Sequence, residues 1–188
     1  MNTMTTNLTI EHALLGFVAE QPSYGYEIYQ QLSTPSELWQ VWRMKQSQLY
    51  ALLTKLEDAG YLAATLQAQE ARPPRKVYAL TEQGRKVYTR WLTMPVPHGR
   101  QMRLEFLTKL YFAHRQHPDH LHTLIAEQSS VCQQWLAELQ AQAADSVAPP
   151  FFSFAVQQFR LQQIESFLAW LATCQQALAV EVEKETRR

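Results

Sequence analysis

One segment limits the possible folds more than any other, because it joins a helix, a helix stop and two strands. Apolar side chains recur at the spacing of a single helical face, on Leu49, Leu52, Leu53 and Leu56. Gly60 then ends the helix, since glycine takes the left-handed conformation without a steric penalty. Residues 61–68 and 76–80 have the composition of strands and flank a loop with two prolines, so they predict a β-hairpin.

Three more helices are predicted around this segment. Residues 8–21 carry one apolar stripe and have Thr9 as a candidate N-cap, and residues 24–33 follow Ser23, which can cap a second helix. Thr81 can cap the helix predicted over 81–92, directly after the hairpin. Three helices, a hairpin and a helix are the element order of a winged helix-turn-helix.

The chain after this region is predicted to be entirely helical. Residues 94–99 contain two prolines and a glycine and are interpreted as a linker. Apolar periodicity then predicts helices over 100–116, 118–142 and 151–185. The predicted fold class is mainly α, with a winged helix-turn-helix domain at 1–94, whose wing is a two-stranded hairpin, and an all-helical domain at 95–188.

The distribution of charge is more informative than its sum. The chain has 17 basic and 17 acidic residues, and this zero net charge alone favours a winged-helix module that binds proteins rather than DNA. Residues 1–42, however, contain four acidic residues and no lysine or arginine, whereas residues 43–93 contain nine basic and four acidic residues. This local surplus coincides with the third helix and the hairpin, and it favours DNA.

Polar side chains at the start of the third helix are candidates for DNA contacts. Amides and hydroxyls can bond base edges, and in winged-helix proteins this helix enters the major groove. The hairpin tip adds guanidinium groups, which suit phosphate oxygens or a narrow minor groove. The candidates from this reasoning are Lys45, Gln46, Ser47, Gln48, Tyr50, Thr54 and Lys55 on the helix, and Arg72, Arg75 and Lys76 on the hairpin.

The last predicted helix has more apolar surface than one chain of this size covers. A helix over residues 151–186 would be about 54 Å long. Its apolar stripe therefore predicts a homodimer, in which a second copy covers Phe152, Phe159, Phe167, Leu171 and Leu178.

Several weaker patterns have a plain structural interpretation. Four histidines at 114, 117, 120 and 122 are conceivable metal ligands, but a polar turn between helices is the favoured interpretation and no metal is predicted. Cys132 and Cys174 lie on apolar stripes and are interpreted as buried residues rather than as a redox switch. The tryptophans and the phenylalanines at 151, 152 and 154 are assigned to core and dimer interface in preference to a ligand pocket.

Enzymatic and membrane functions find no support in the pattern. We find no glycine-rich phosphate loop, no nucleophile elbow and no convincingly spaced pair of carboxylates, so neither an enzyme nor a cofactor is predicted. The chain has no signal-peptide pattern and no apolar stretch near the ~20 residues of a membrane helix. We therefore expect a cytoplasmic protein that does not bind membranes.

Three blocks also resemble a known family, in the right order and spacing. YGYEIYQQL at 24–32, SQLYALLTKLEDAGYL at 47–62 and RKVYALTEQGRKVYTRWL at 75–92 are similar to the PadR family of transcriptional regulators. Residues 103–113 resemble the start of the helical dimerisation domain found in its larger subgroup. The resemblance implies a dimeric regulator on a palindromic operator, in some members released by a small aromatic molecule such as a phenolic acid. The family's recognition-helix tyrosine falls on Tyr50, and its wing base falls on Arg75, Lys76 and Tyr78.

Overall fold

The computed structural model describes residues 10–34, 37–69, 72–144 and 149–186. These residues fall into two units, one built from residues 10–94 with 100–118 and the other from residues 95–99 with 119–186. We call the first the winged unit and the second the helical unit. The structure thus places residues 100–118 with the winged unit, whereas the boundary predicted from the sequence assigns them to the helical domain.

The winged unit begins with a short helix that lies inside it. Ile10–Val18 form a 3₁₀ helix, where the sequence predicts an α-helix. Every residue from 12 to 18 is buried, and Ala13 and Leu14 are fully so. The helix is therefore buried on every side and lacks the solvent-facing side of an amphipathic helix. The cap predicted at Thr9 lies outside the described residues.

Helix α1 (Gly25–Ser33) has the apolar face that its sequence predicts. Ile28 and Leu32 are both fully buried. The helix ends at Thr34, whose backbone N–H donates to the carbonyl of Gln30 at 2.9 Å.

Ser23 does not cap α1, and that prediction is wrong. The residue is buried and forms strand β1 (Ser23–Tyr24), where it lies opposite Tyr78. The first turn of α1 is closed instead by Glu27, whose carboxylate accepts a 3.0 Å hydrogen bond from the Tyr24 N–H. Ser23 pairs in the sheet, and the N–H of Tyr24 is satisfied by the carboxylate of Glu27, three residues after Tyr24.

Helix α2 (Gln46–Asp58) is the helix predicted from the leucine stripe. Leu49, Leu53 and Leu56 of the predicted stripe are buried, and Leu52 is partly buried at its edge. A 3₁₀ turn at Leu38–Gln40 precedes it, and Gly60 follows it with a φ of 76°, in the left-handed region that favours glycine.

The predicted hairpin is present and gains a third strand. Strands β2 (Leu62–Gln69) and β3 (Arg72–Leu80) pair in antiparallel fashion, with Leu62 opposite Leu80. Strand β1 pairs with the other edge of β3, so the order in the sheet is β1, β3, β2. The sequence does not predict β1, because two residues are too few to show an alternating pattern.

Helix α3 (Glu82–Thr93) begins at the cap predicted for it. The Thr81 hydroxyl accepts a 2.9 Å hydrogen bond from the Gly84 N–H and donates at 2.7 Å to the Gly60 carbonyl. Position 84 requires glycine for a steric reason, since an added Cβ would lie 2.0 Å from the carbonyl oxygen of Tyr61. Trp91 and Leu92 are buried on the inner face.

The winged unit is completed by a π-helical turn at Met102–Phe106 and by helix α4 (Leu107–Gln116). Phe112 packs edge-on against Phe17, with ring centroids 5.2 Å apart. The side-chain amide of Gln116 donates to the Gly16 carbonyl at 2.8 Å. These contacts reach back about 100 residues along the chain, and they explain why α4 lies with the winged unit.

The helical unit consists of residues 95–99 and two long helices, α5 (Pro118–Ala144) and α6 (Phe151–Thr186). Its buried side chains include Leu124, Ile125, Cys132, Ile164 and Leu171. Gln128 is fully buried, and its amide bonds both backbone groups of Val96, at 2.7 and 3.3 Å. In the part of the chain that the structure describes, every helix is too short or too polar to cross a membrane.

Candidate nucleic-acid interface

The first turn of α2 carries the polar surface predicted to contact DNA. Lys45, Gln46, Ser47 and Gln48 are all exposed. Gln48 bends back, and its Oε1 accepts a 3.1 Å hydrogen bond from the Lys45 N–H. This bond closes the start of the helix, so Gln46 and Ser47 are the side chains that the turn presents outward for base edges.

Tyr50 lies on the next part of the same face and touches α1. Its side chain is 38% exposed. The ring rests where a side chain of Gly25 would be, since an added Cβ would lie 2.8 Å from Tyr50 Cε1. Thr54 is exposed, but its hydroxyl donates to the Tyr50 carbonyl at 3.0 Å and is thus already bonded within the helix.

A cleft of about 650 Å³ opens between the start of α1, helix α2 and the hairpin. It brings together side chains from three separate stretches of the sequence. Four tyrosines and two cations line it together with Gly25: Tyr24, Tyr26, Tyr50, Tyr78, Arg75 and Lys76. Tyr24 and Tyr26 are absent from the set predicted from the sequence, although the alternation of aromatic residues around Gly25 could have indicated a surface feature.

The structure separates the predicted cations into paired and unpaired ones. Lys55 Nζ lies 2.5 Å from a Glu11 carboxylate oxygen, and Lys76 Nζ lies 3.0 Å from one of Glu57. The bond to Glu57 raises the pKa of Lys76. Arg75, by contrast, is exposed and forms no ion pair with a carboxylate of the described residues.

These pairings give two of the predicted lysines a partner within the chain. Lys55 bonds a residue of the first helix, and Lys76 bonds Glu57 at the end of α2. Both lysines remain exposed, so their contact with DNA stays a prediction. Among the described side chains of the hairpin, Arg75 is the cation without a described carboxylate partner, which leaves it available for a phosphate.

Tyr78 and Arg72 complete the predicted hairpin residues. Tyr78 is only 2% exposed, and burial raises the pKa of its hydroxyl group. It forms a wall of the cleft and offers little surface beyond it. The side chain of Arg72 lies outside the described part of the structure.

The residues predicted to form the dimer interface differ in how exposed they are. Phe152 and Phe159 are 77% and 64% exposed on α6, and Phe167 and Leu178 are partly buried. Leu171 is fully buried in the single chain, so it offers no surface to a partner, in contrast to its predicted role. Phe151 and Phe154 are exposed in the single chain, so they do not belong to its core, and their assignment to a dimer interface stays a prediction.

The weaker sequence patterns remain without a site. In the described ranges no group of three or more histidine, cysteine or acidic side chains is placed to hold a metal ion. Cys132 is buried and Cys174 is partly buried, and burial raises the pKa of both thiols. A raised pKa lowers the thiolate fraction, which makes both residues poor nucleophiles.

These features define a class of protein. A helix with an exposed polar first turn, a hairpin beside it and an exposed arginine on that hairpin form a winged helix-turn-helix of the DNA-binding type.

Comparison with known families identifies the type within this class. Residues 14–90 match the transcriptional regulator PadR-like family, and residues 102–179 match the family described as virulence activator alpha C-term. Residues 14–90 thus form a PadR-like domain, and the chain is a transcriptional regulator of the PadR type.

Two known proteins and one solved structure are similar to the chain. The chain is 27% identical to the negative transcriptional regulator PadR of Bacillus subtilis, over 86% of this chain and 93% of that protein. A probable transcriptional regulator of Mycobacterium tuberculosis is 32% identical over 54% of this chain and 52% of its own length. The solved structure of Bacillus subtilis PadR in complex with operator DNA is 26% identical, covers 90% of this chain and 98% of that chain, and has a TM-score of 0.45.

Proposed function

We propose that this protein is a homodimeric, cytoplasmic repressor that binds a palindromic DNA operator. The observation that carries the proposal is the shared cleft, in which Tyr50 of α2 lies together with the exposed Arg75 of the hairpin, next to the exposed polar start of α2. Repression rather than activation is supported by the Bacillus subtilis relative, which is a negative regulator.

Each part of this surface has a separate task in the proposal. Gln46 and Ser47 enter the major groove, where an amide and a hydroxyl discriminate between base pairs. Lys45 and Arg75 contact phosphates on either side, which fixes the register of the helix but reads no sequence. The ion pair between Lys76 and Glu57 keeps the hairpin at a set position beside α2.

The second copy is supported by the phenylalanines at the start of α6. Four of them are exposed in a single chain: Phe151, Phe152, Phe154 and Phe159. Apolar surface of this kind marks an interaction site more often than a solvated surface. A two-fold axis through a dimer would present two copies of α2 to half-sites about one helical turn of DNA apart.

A small aromatic effector is the third part of the proposal. It is supported by the resemblance of the chain to the PadR family. Addition of a phenolic acid to a preformed complex with DNA should release the protein if the effector belongs to that class.

The test begins with selection of bound fragments from the source genome, followed by fluorescence anisotropy titration of the selected duplex in a series of salt concentrations. Arg75→Ala should weaken binding to all sequences alike and reduce the slope of log affinity against log salt by about one unit, because one fewer counterion is released.

Lys55→Ala is the matched control for this experiment. This substitution also removes one cation. The ammonium of Lys55 is paired with Glu11, so the slope of log affinity against log salt should stay at the wild-type value. Equal slopes for the wild type and Arg75→Ala would show that Arg75 does not contact phosphate. Selection that enriches no sequence, with no salt-dependent binding, would support the alternative of a protein-interaction module.

A further inference from the structure

Gly25 occupies a position where the absence of a side chain is required by Tyr50. A Cβ added there would lie 2.8 Å from Tyr50 Cε1, 3.2 Å from Cζ and 3.3 Å from the hydroxyl oxygen. The whole outer edge of the ring, with its hydroxyl group, therefore lies over the first residue of α1. Both residues line the cleft that also contains Arg75.

The backbone of Gly25 does not itself call for glycine. Among the glycines of the described residues, Gly60 is the one with a positive φ, so Gly25 has a conformation that alanine can adopt. It is the first residue of α1, where alanine is ordinarily well tolerated. The requirement for a bare backbone at this position thus comes from its neighbour and not from the helix.

We propose that Gly25 is a positioning residue for DNA binding, which lets the Tyr50 ring lie over α1 and holds its hydroxyl group at the rim of the cleft. This inference rests on the proposed function, because it concerns the same surface. It adds the fixed orientation of Tyr50 as a condition for tight binding.

A larger residue at position 25 would displace the Tyr50 side chain and not the backbone. Tyr50 is 38% exposed, so its ring can swing toward solvent when a methyl group appears beneath it. Gly84 is the contrasting case, since a methyl group there would meet the backbone carbonyl of Tyr61 at 2.0 Å. Gly25→Ala should therefore displace one side chain and leave the winged unit folded.

The test is a double-mutant cycle on the full-length protein, with Gly25→Ala, Tyr50→Ala and the double variant. Affinity is measured by anisotropy with the duplex selected from the source genome. Tyr50→Ala and Gly25→Ala should each raise Kd on the order of 10-fold, and the double variant should be no weaker than Tyr50→Ala alone. Gly99→Ala is the matched control, because its added Cβ would be 3.4 Å from the nearest atom, on the Phe167 ring, and binding should not change.

Urea unfolding of the wild type, Gly25→Ala, Tyr50→Ala and the double variant distinguishes a misplaced Tyr50 side chain from a loss of folding stability. Gly25→Ala should not lower the unfolding midpoint when it is combined with Tyr50→Ala, since the ring that it displaces is then absent. If Gly25→Ala alone were too unstable to assay, the double variant should regain the stability of Tyr50→Ala.

Different failures have different meanings. A wild-type protein that binds no duplex overturns the proposed function, and with it the role of Gly25 in binding. If the wild type binds and Gly25→Ala binds with the same affinity, this inference alone is overturned. The same holds if the affinity losses of the two single variants multiply in the double variant.

Discussion

Lys109 is the residue whose charge is most deeply buried in the described winged unit. It is 2% exposed, and Glu105, one turn earlier on the chain, is 5% exposed. The ammonium donates to the Met94 carbonyl at 2.7 Å and lies 3.8 Å from Glu105 Oε1, the oxygen that also accepts a 2.9 Å bond from the Trp91 indole. A buried ion pair of this kind is tolerated because hydrogen bonds compensate for the lost hydration.

Burial lowers the pKa of Lys109 to about 8, and the attraction of Glu105 opposes this shift only in part. The unfolded chain keeps its proton up to a pKa of 10.5, so between these values the unfolded state binds more protons than the folded state. Stability at the site should therefore rise with pH, beginning near pH 8 and ending near 10.5.

We predict that the free energy of unfolding of the wild type gains at most about 3 kcal/mol from this group over that range. The double variant Glu105→Gln with Lys109→Met removes both charges and should lack this component. Urea unfolding of both proteins at several pH values between 7 and 10.5 measures the difference, in which the other titrating groups cancel. Parallel pH profiles would contradict the lowered pKa.

At the scale of elements, the two ends of the hairpin meet at one threonine. The Thr81 hydroxyl bonds the start of α3 through the Gly84 N–H and the end of α2 through the Gly60 carbonyl. The Thr81 N–H donates to the Tyr61 carbonyl at 3.1 Å. One residue thus holds three elements, and the position of the hairpin beside α2 depends on it.

We predict that Thr81→Ala lowers the free energy of unfolding by about 1–2 kcal/mol, the range for loss of an N-cap. Thr81→Ser keeps the hydroxyl group and should stay within about 0.5 kcal/mol of the wild type. Chemical denaturation of the two variants and the wild type gives the comparison. Equal losses in both variants would show that the methyl group of Thr81, and not its hydroxyl group, is what matters.

At the scale of the whole molecule, exposed phenylalanines on α6 are difficult to explain for a monomer. Burial of one such side chain is worth roughly 1.5–3 kcal/mol, so two of them decide whether a dimer persists at micromolar concentration. Phe152 and Phe159 are the two that both the sequence stripe and the structural exposure support.

We predict that the wild type sediments at twice the mass of the chain, and that Phe152→Ser combined with Phe159→Ser shifts it to monomer. The dissociation constant should rise by about 100-fold or more, since each copy loses two buried rings. Val180→Ser is a matched control, because Val180 is 51% exposed near the other end of α6. Sedimentation equilibrium at micromolar concentration provides the measurement, and a monomeric wild type would remove the basis for a palindromic operator.

The sequence alone was sufficient for elements that depend on near neighbours. The leucine stripe predicted the buried face of α2, Gly60 predicted its end, and Thr81 predicted the start of α3. Helical periodicity, a left-handed stop and a cap each act over at most a few residues, so they can be recognised in a single stretch of sequence.

Only the tertiary structure decided which residues from distant parts of the chain contact each other. The pairing of Lys55 with Glu11 spans 44 residues, and that of Lys76 with Glu57 spans 19. The Tyr50 ring lies over Gly25, Leu171 is fully buried, and α4 packs on the first helix through Phe112. Periodicity shows which face of an element is apolar but carries no record of its partner, because partners are set by packing between segments far apart in the chain.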